Sequence, residues 1–409
     1  MPINLDEVNL LENAEISKGD KFLYSADAND PDLKRVEREI PDLEKIANAG
    51  GKVAFVFHEG RFGDTQPEDY KKDVANFIRA NSKLKVIPFP CNFPGNNIRA
   101  AYDFINDIRP GTIAVMGNAR DDAREESKDK QERLKLAKQL AAIVGKEGKV
   151  AIGGFGKAHR ENASNCDIID FLPGYLTNSQ YIEMDQLREW AGRDDTTISL
   201  AVLGGVKKEK ITIGYAGFSQ NYDNIIPGGI LLNTALKAQG YDVGSSWITE
   251  DGKPESKNYE KEYREIAKNS RAKLHLPTQV TIARKTKEGL VDETTINIRD
   301  GVPKDFMIVS YTMPQSAIDA LEDTVARKGR MVVAGTPDLA SLGFGYATIE
   351  VASRLRNPNI RGILLGGDSC CEIDYQGQTS SGGGSALYYI SNGTTPVFEK
   401  LKEQKRGIK

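Results

Sequence analysis

Short apolar runs of five to seven residues recur along this chain, each followed by a stretch with helical periodicity. That alternation restricts the possible folds more than any other feature. In the first half the runs are KFLYSA, KVAFVFH, LKVIPF, GTIAVM and KVAIGG, separated by stretches such as DLKRVEREIPDLEKIANAGG and PEDYKKDVANFIRANS. In the second half they are TISLAVLGG, YDNIIPGG, KLHLPTQVTIA, FMIVSYT, RMVVAGT and RGILLGGD, with helices predicted over GILLNTALKAQG, ESKNYEKEYREIAKNS and PQSAIDALEDTVARKG. Runs too apolar to leave one face in water predict strands covered on both sides. Strands alternating with helices predict parallel βαβ units. The fold class expected is α/β: two doubly wound, Rossmann-like parallel-sheet domains. A chain of 409 residues allows each half a core of its own. The seam is placed near Gly192-Arg193-Asp194-Asp195, after SQYIEMDQLREW, an expected interdomain helix. This gives an N-terminal domain over residues 1–177, a helix and hinge over 178–195, a C-terminal domain over 196–395, and a charged, solvated tail over 396–409.

Charge narrows the partners. Lys+Arg total 55 against 58 Asp+Glu, a net charge of −3, which argues against nucleic acid as a partner; any anion site must be built locally. No apolar run reaches the ~18 residues a membrane span needs. The acidic start, MPINLDEVNLLENAE, lacks the basic and apolar regions of a secretory signal. Cys91, Cys166, Cys370 and Cys371 form no CxxC, which fits reduced thiols and a cytoplasmic location.

Glycines close several strands of the second half: Gly204-Gly205, Gly228-Gly229, Gly366-Gly367 and the triplet Gly382-Gly383-Gly384 before SALYYI. Such glycines let backbone N–H groups approach a phosphate, and a following helix adds its dipole. The competing reading is turn glycines that need positive φ. Four such groups in one domain favour a nucleotide site, although neither GxxxxGK[ST] nor a strand-ending GxGxxG is present. Lys207 and Lys210 follow the first doublet and can reach phosphate oxygens. Asp368 follows the third and can hold Mg²⁺.

In the first half, histidines and arginines gather at strand ends: His58 and Arg61 in HEGR, Arg120 after GTIAVM, and His159-Arg160 after Gly153-Gly154-Phe155-Gly156. Arg35 lies early in a predicted helix, and Asp27 and Asn29 follow the first strand. Converging at one rim, they make a cationic pocket suited to a small ligand with a phosphate and a carboxylate. His275 reads as structural. Glu125-Glu126 reads as a solvated pair on a charged helix.

In order along the chain, these motifs resemble the phosphoglycerate kinase family from about Lys21 to about Pro396. RVDFNVP is matched in part by SADANDP, which keeps Asp27, Asn29 and Pro31 but has Ser25 where the family has arginine. SHLGRP becomes FHEGRF, ENLRF becomes GNARD, and FGTAHRAHAS becomes FGKAHRENAS. LGGAK is matched by LGGVK, GGGDT by LGGDS, and STGGGASLE by SSGGGSALY. The resemblance implies that 3-phosphoglycerate binds the N-terminal domain through Asp27, Asn29, Arg35, His58, Arg61, Arg120, His159 and Arg160. It implies that Mg²⁺ with ATP (or ADP) binds the C-terminal domain through Gly204, Gly205, Lys207, Lys210, Gly228, Gly229, Gly366, Gly367, Asp368 and Ser369, with Asp368 on the metal. Arg35, Lys207, Gly382, Gly383 and Gly384 are then expected to act on the migrating phosphoryl group. A monomer that closes a cleft by hinge bending in glycolysis is also implied.

Departures concentrate on the nucleotide side. WNGPMGVFE reads VAGTPDLAS, with Ala334 and Ser341 in place of asparagine and glutamate, and Lys210 follows Lys207 by three residues instead of four. Two further readings stay open: a paralogous kinase for a related phosphate- or phosphonate-bearing carboxylate, and a catalytically silent binding or regulatory homologue.

Overall fold

The computed structural model describes residues 4–64, 70–93, 97–249, 257–366 and 372–407. The chain divides into two compact units, one of residues 4–186 with 395–409, the other of residues 187–394.

The first unit is built on six parallel strands: β1 (Lys21–Asp27), β2 (Lys52–His58), β3 (Lys85–Pro88), β4 (Thr112–Asn118), β5 (Lys149–Ile152) and β6 (Gly174–Leu176). Their order is β3-β4-β2-β1-β5-β6. After their first residue β1 and β2 are buried throughout, and β4 is buried along its whole length, as the apolar runs require of strands covered on both faces. Strand order reverses between β1 and β5, so the crevice at their carboxyl ends is where a ligand is expected. The helical stretch after β1 is broken into Lys34–Glu37 and Ile40–Asn48, with Pro41 opening the second helix.

Glu39, between those helices, ties three elements together. Its carboxylate accepts from Tyr24 Oη at 2.6 Å, Ser179 Oγ at 2.8 Å and Gly154 N at 2.9 Å. Burial pushes this carboxyl up to about 7, against the three hydrogen bonds that favour its ionised form. Between about 4.5 and 7 the folded chain therefore holds a proton that the unfolded chain has lost, and stability from this group falls as pH rises. Glu39→Gln removes that slope. Its stability penalty is expected to shrink by at most about 3 kcal/mol from pH 4.5 to 7.5. Urea unfolding across that range checks this, and a penalty that stays constant or grows contradicts it.

The charged tail is not a solvated end. Pro396–Lys405 is a helix capped by Thr395, whose hydroxyl accepts from Phe398 N at 3.2 Å. Val397, Phe398 and Leu401 share its buried face. Gln404 completes the seam: its Nε2 donates to Leu172 O at 2.8 Å and its Oε1 accepts from Gly174 N at 2.7 Å, at the start of β6. The charges of EKLKEQKRGIK, which follow Val397 and Phe398 and surround Leu401, hide this apolar stripe.

The second unit holds a parallel sheet of β7 (Ser199–Leu203), β8 (Asn224–Pro227), β9 (Lys273–Leu274), β13 (Arg330–Ala334), β14 (Arg361–Leu365) and β15 (Gln378–Ser380), in the order β15-β14-β13-β7-β8-β9. It also holds an antiparallel sheet, β11-β10-β12, of β10 (Gln279–Thr286), β11 (Gly289–Asn297) and β12 (Phe306–Tyr311). The run KLHLPTQVTIA is therefore two strands in two sheets, divided at Pro277. The hairpin partner β11 is largely exposed, so it lacks the apolar pattern that marks the other strands. Among the described residues no helix is long and apolar enough to cross a membrane.

Candidate active site

At the carboxyl rim of the first sheet, most of the expected residues are held by a neighbour. Asp27 ends β1 and is buried; its Oδ2 accepts from Arg35 Nη1 at 2.7 Å and its Oδ1 from Asn29 N at 3.0 Å. A left-handed turn at Leu33 (φ 54°) starts the short helix that carries Arg35. Asn29 Oδ1 accepts from Gly60 N at 3.2 Å, and Gly60 O accepts from Arg120. Arg120 Nη2 donates to Glu126 Oε1 at 2.9 Å, and the same oxygen takes Arg160 Nη1 at 3.0 Å. Arg160 Nε in turn donates to His159 Nε2 at 3.3 Å. Asn118, ending β4, clasps Glu59: its Nδ2 donates to Glu59 O at 2.9 Å and its Oδ1 accepts from Glu59 N at 3.2 Å. A continuous polar chain thus runs from Asn29 to His159.

The set expected to contact a ligand divides by burial. Arg35, Arg61 and Arg160 face outward, with side chains 40% exposed at Arg35 and 46% at Arg160. His58 and Arg120 stand behind them, buried. His58 Nε2 meets Glu125 Oε1 at 2.7 Å and Ser164 Oγ at 3.1 Å. Burial, with Lys157 and Arg120 nearby, holds its imidazole well below the ordinary range, so it is neutral at pH 7. Its Nδ1 is buried without a hydrogen-bond partner among the described residues. His159 is likewise neutral, brought to about 4 by burial and then by Arg160 and Arg120. The positive charge of this rim is therefore carried by arginines.

Glu125 and Glu126 are not a solvated pair. Glu125 is fully buried and accepts from Ser164 Oγ at 2.7 Å besides meeting His58. Glu126 resists burial, which alone would raise its pKa, because Arg120 and Arg160 hold it below the ordinary carboxylate range. They lie in a turn region after β4, not on a helix. Lys157, Ser164 and Glu39 also belong to this cluster, though no motif of their own marks them in the sequence. The one signal for them was Gly153-Gly154-Phe155-Gly156, whose glycines let backbone lie against Glu39, Asp27 and Arg35.

In the second unit the glycines have a packing reason. A Cβ on Gly204 would lie 1.7 Å from Thr336 O, and one on Gly228 2.3 Å from Pro337 Cα. Gly229 (φ 48°) would place a Cβ 2.1 Å from Gly205 O. These close approaches sit where β7, β8 and β13 end, around the reversal of strand order between β7 and β13. Lys207 is exposed just beyond. Lys210 Nζ donates to Ala334 O at 2.7 Å, which fastens the π-helical turn Lys210–Tyr215 to the end of β13. Gly382 caps the helix Gly383–Asn392, and Gly383 (φ 56°) has open space where a Cβ would stand. Gly366 (φ 97°) follows β14, while Gly367, Asp368 and Ser369 lie outside the described residues. In the altered segment after β13, buried Asp338 accepts from Ser310 Oγ at 3.0 Å and from Ala347 N at 2.8 Å, and so caps the helix Tyr346–Leu355. His275 is buried between Ser316 Oγ and Asn224 Oδ1, each at 3.0 Å.

Residues 18–403 match the family model described as phosphoglycerate kinase. A phosphoglycerate kinase of Streptomyces avermitilis is 30% identical over 419 residues, covering 95% of this chain and 98% of that protein. One from Mycolicibacterium smegmatis is 29% identical, covering 92% of each. Among solved structures, the phosphoglycerate kinase from Coxiella burnetii superposes with a TM-score of 0.68 at 19% identity, covering 98% of this chain and 100% of that one. That from Pyrococcus horikoshii superposes with a TM-score of 0.64 over the same shares, also at 19% identity.

Proposed function

The chain belongs to the phosphoglycerate kinase family, and on that premise we propose that it is a phosphotransferase with a carboxyl acceptor, moving the γ-phosphoryl group of ATP reversibly onto the carboxylate of 3-phosphoglycerate. The observation that carries the acid half is the rim where Arg35 and Arg160, each anchored by a carboxylate, face outward, as Arg61 does at the end of β2. Guanidinium forks match both a phosphate and a carboxylate, and their anchors spare the ligand the cost of ordering them. Neutral His159 adds hydrogen bonding without repelling the cations beside it.

In the forward direction an acid carboxylate oxygen forms a bond to the γ-phosphorus while the bond to the β–γ bridging oxygen breaks, and ADP leaves. Such transfer needs position and charge stabilisation more than covalent help. Arg35 is assigned to the acid's carboxylate, and Lys207 with the N–H groups of Gly382–Gly384 to the three outer oxygens of the migrating group. Gly383, with a helix N-terminus behind it and no obstruction before it, fits a phosphoryl oxygen. Mg²⁺ on Asp368, when bound, neutralises charge on the nucleotide's phosphates. The cytoplasm and a place in glycolysis follow from the same reading, as does a monomer that closes by hinge bending.

A coupled assay with Mg-ATP against 3-phosphoglycerate and several phosphonocarboxylates tests the proposal. Turnover highest with 3-phosphoglycerate supports it. Turnover confined to a phosphonate moves the chain to the paralogous reading, and no turnover with any acid to the silent one. Arg160→Ala is expected to weaken 3-phosphoglycerate binding about 10- to 100-fold, the range for hydrogen bonds between charged groups. Equal affinity by calorimetry removes Arg160 from the acid site.

A further inference from the structure

The turn after β5 does more than connect. Its glycines lie on the Asp27–Arg35 pair: a Cβ on Gly154 would fall 2.8 Å from Asp27 Cβ and 2.9 Å from Lys157 Cε, and one on Gly156 2.4 Å from Asp27 Oδ2 and 3.0 Å from Arg35 Nη1. The turn ends by sending Lys157 beneath the pair, where it is 2% exposed and its Nζ donates to Ser25 Oγ on β1. Ser25 Oγ also lies 3.3 Å from Ser164 Oγ, which bonds to Glu125. One buried ammonium thus sits among the buried carboxylates of Asp27, Glu125 and Glu39. A buried charge is tolerated only when paired, and removing one partner strands the others. In the family motifs the arginine is on the first strand and position 157 is threonine; here the strand carries Ser25 and the turn carries the cation.

We propose that Lys157 is a positioning residue for the acid site: its buried ammonium, seated on Ser25, is the counter-ion that fixes Asp27 and, through Asp27, the outward-facing Arg35. This deepens the acid-site reading above and rests on it. The lysine replaces a strand-borne guanidinium from the opposite side of the β1–β5 crevice. Besides the three carboxylates, Arg120 and His58 face the ammonium. Burial, offset in part by those carboxylates, holds Lys157 below the ordinary lysine range. It therefore loses its charge at a lower pH than a surface lysine does, whereas an arginine in its place would not titrate.

The test uses the full chain in four forms: wild type, Lys157→Thr, Ser25→Arg, and the double variant Ser25→Arg/Lys157→Thr. Calorimetry with 3-phosphoglycerate should show at least 10-fold weaker binding for Lys157→Thr and recovery to within about 3-fold for the double variant. Ser25→Arg alone, with two cations in one place, should bind worse than the double variant. The alkaline fall in wild-type affinity should vanish in the double variant, a change that a merely structural lysine would not produce. Unchanged binding by Lys157→Thr, no recovery in a folded double variant, or persistence of the alkaline fall overturns the proposal. If wild type binds no 3-phosphoglycerate, the acid-site reading fails, and Lys157 is judged separately by its ¹³Cε NMR titration. There, Asp27→Asn should move the Lys157 midpoint to lower pH, and no movement refutes the coupling.

Discussion

Lys207→Ala is expected to lower kcat about 10²- to 10³-fold while leaving the affinity for 3-phosphoglycerate within about 2-fold. That is the usual cost of deleting one preorganised donor aimed at transition-state charge. The separation follows from where the lysine sits. Lys207 belongs to the unit of residues 187–394, whereas Arg35, Arg61 and Arg160 belong to the unit of residues 4–186. The residues proposed to bind the acid are thus untouched by the change. Lys210 is no ready substitute, since its Nζ fastens the following π-helical turn to Ala334 O at 2.7 Å. An effect on kcat without one on acid affinity is the signature of an interaction made only as charge moves to the outer phosphoryl oxygens. Steady-state kinetics with calorimetry of the acid decides it. Unchanged turnover would remove Lys207 from the reaction, and an equal loss of acid affinity would give it a different task.

How much of this was legible in the chain depended on the kind of signal. Strands buried on both faces announce themselves as apolar runs, so the central strands of both parallel sheets could be read directly, whereas the three-residue edge strands β6 and β15 are too short to show and FMIVSYT, which reads the same way, falls in the antiparallel sheet as β12. β11 could not, because its side chains are largely exposed and GLVDETTIN carries no apolar stripe. The C-terminal helix was hidden for the opposite reason: three buried residues among many charges look like a tail. At the proposed acid rim, position along strands located the arginines, and residue type alone could not say which were anchored and which anchored them. Glu125-Glu126 has the appearance of any surface acidic pair, and only the fold shows one inside against His58 and the other bridging Arg120 and Arg160. Lys157 was silent because a lysine is presumed exposed. The second-unit glycines carried a real signal with two physical meanings, closeness to a ligand or closeness to other backbone, and a one-dimensional pattern does not separate them.

Gly204→Ala separates them. The added methyl would stand 1.7 Å from Thr336 O and 2.4 Å from Thr336 C, with Gly335 C at 3.0 Å. Backbone atoms cannot rotate aside as a side chain can, so relief means moving β7 against β13, neighbours at the centre of their sheet. A loss of about 3 kcal/mol or more is expected without any ligand. Gly240→Ala is the control: its φ is 92° but nothing lies within 4 Å of the added carbon, so only the left-handed backbone penalty of about 1–2 kcal/mol applies. Both tryptophans, Trp190 and Trp247, lie in the unit that holds Gly204. Their fluorescence in urea therefore reports the affected sheet, whatever the other unit does. If Gly204→Ala unfolds with the wild-type midpoint yet loses nucleotide binding, the glycine serves phosphate approach and the packing account is wrong. If the tryptophan transition moves early in the absence of nucleotide, the missing Cβ is a requirement of the sheet itself, and any nucleotide held there uses a gap that folding had already made.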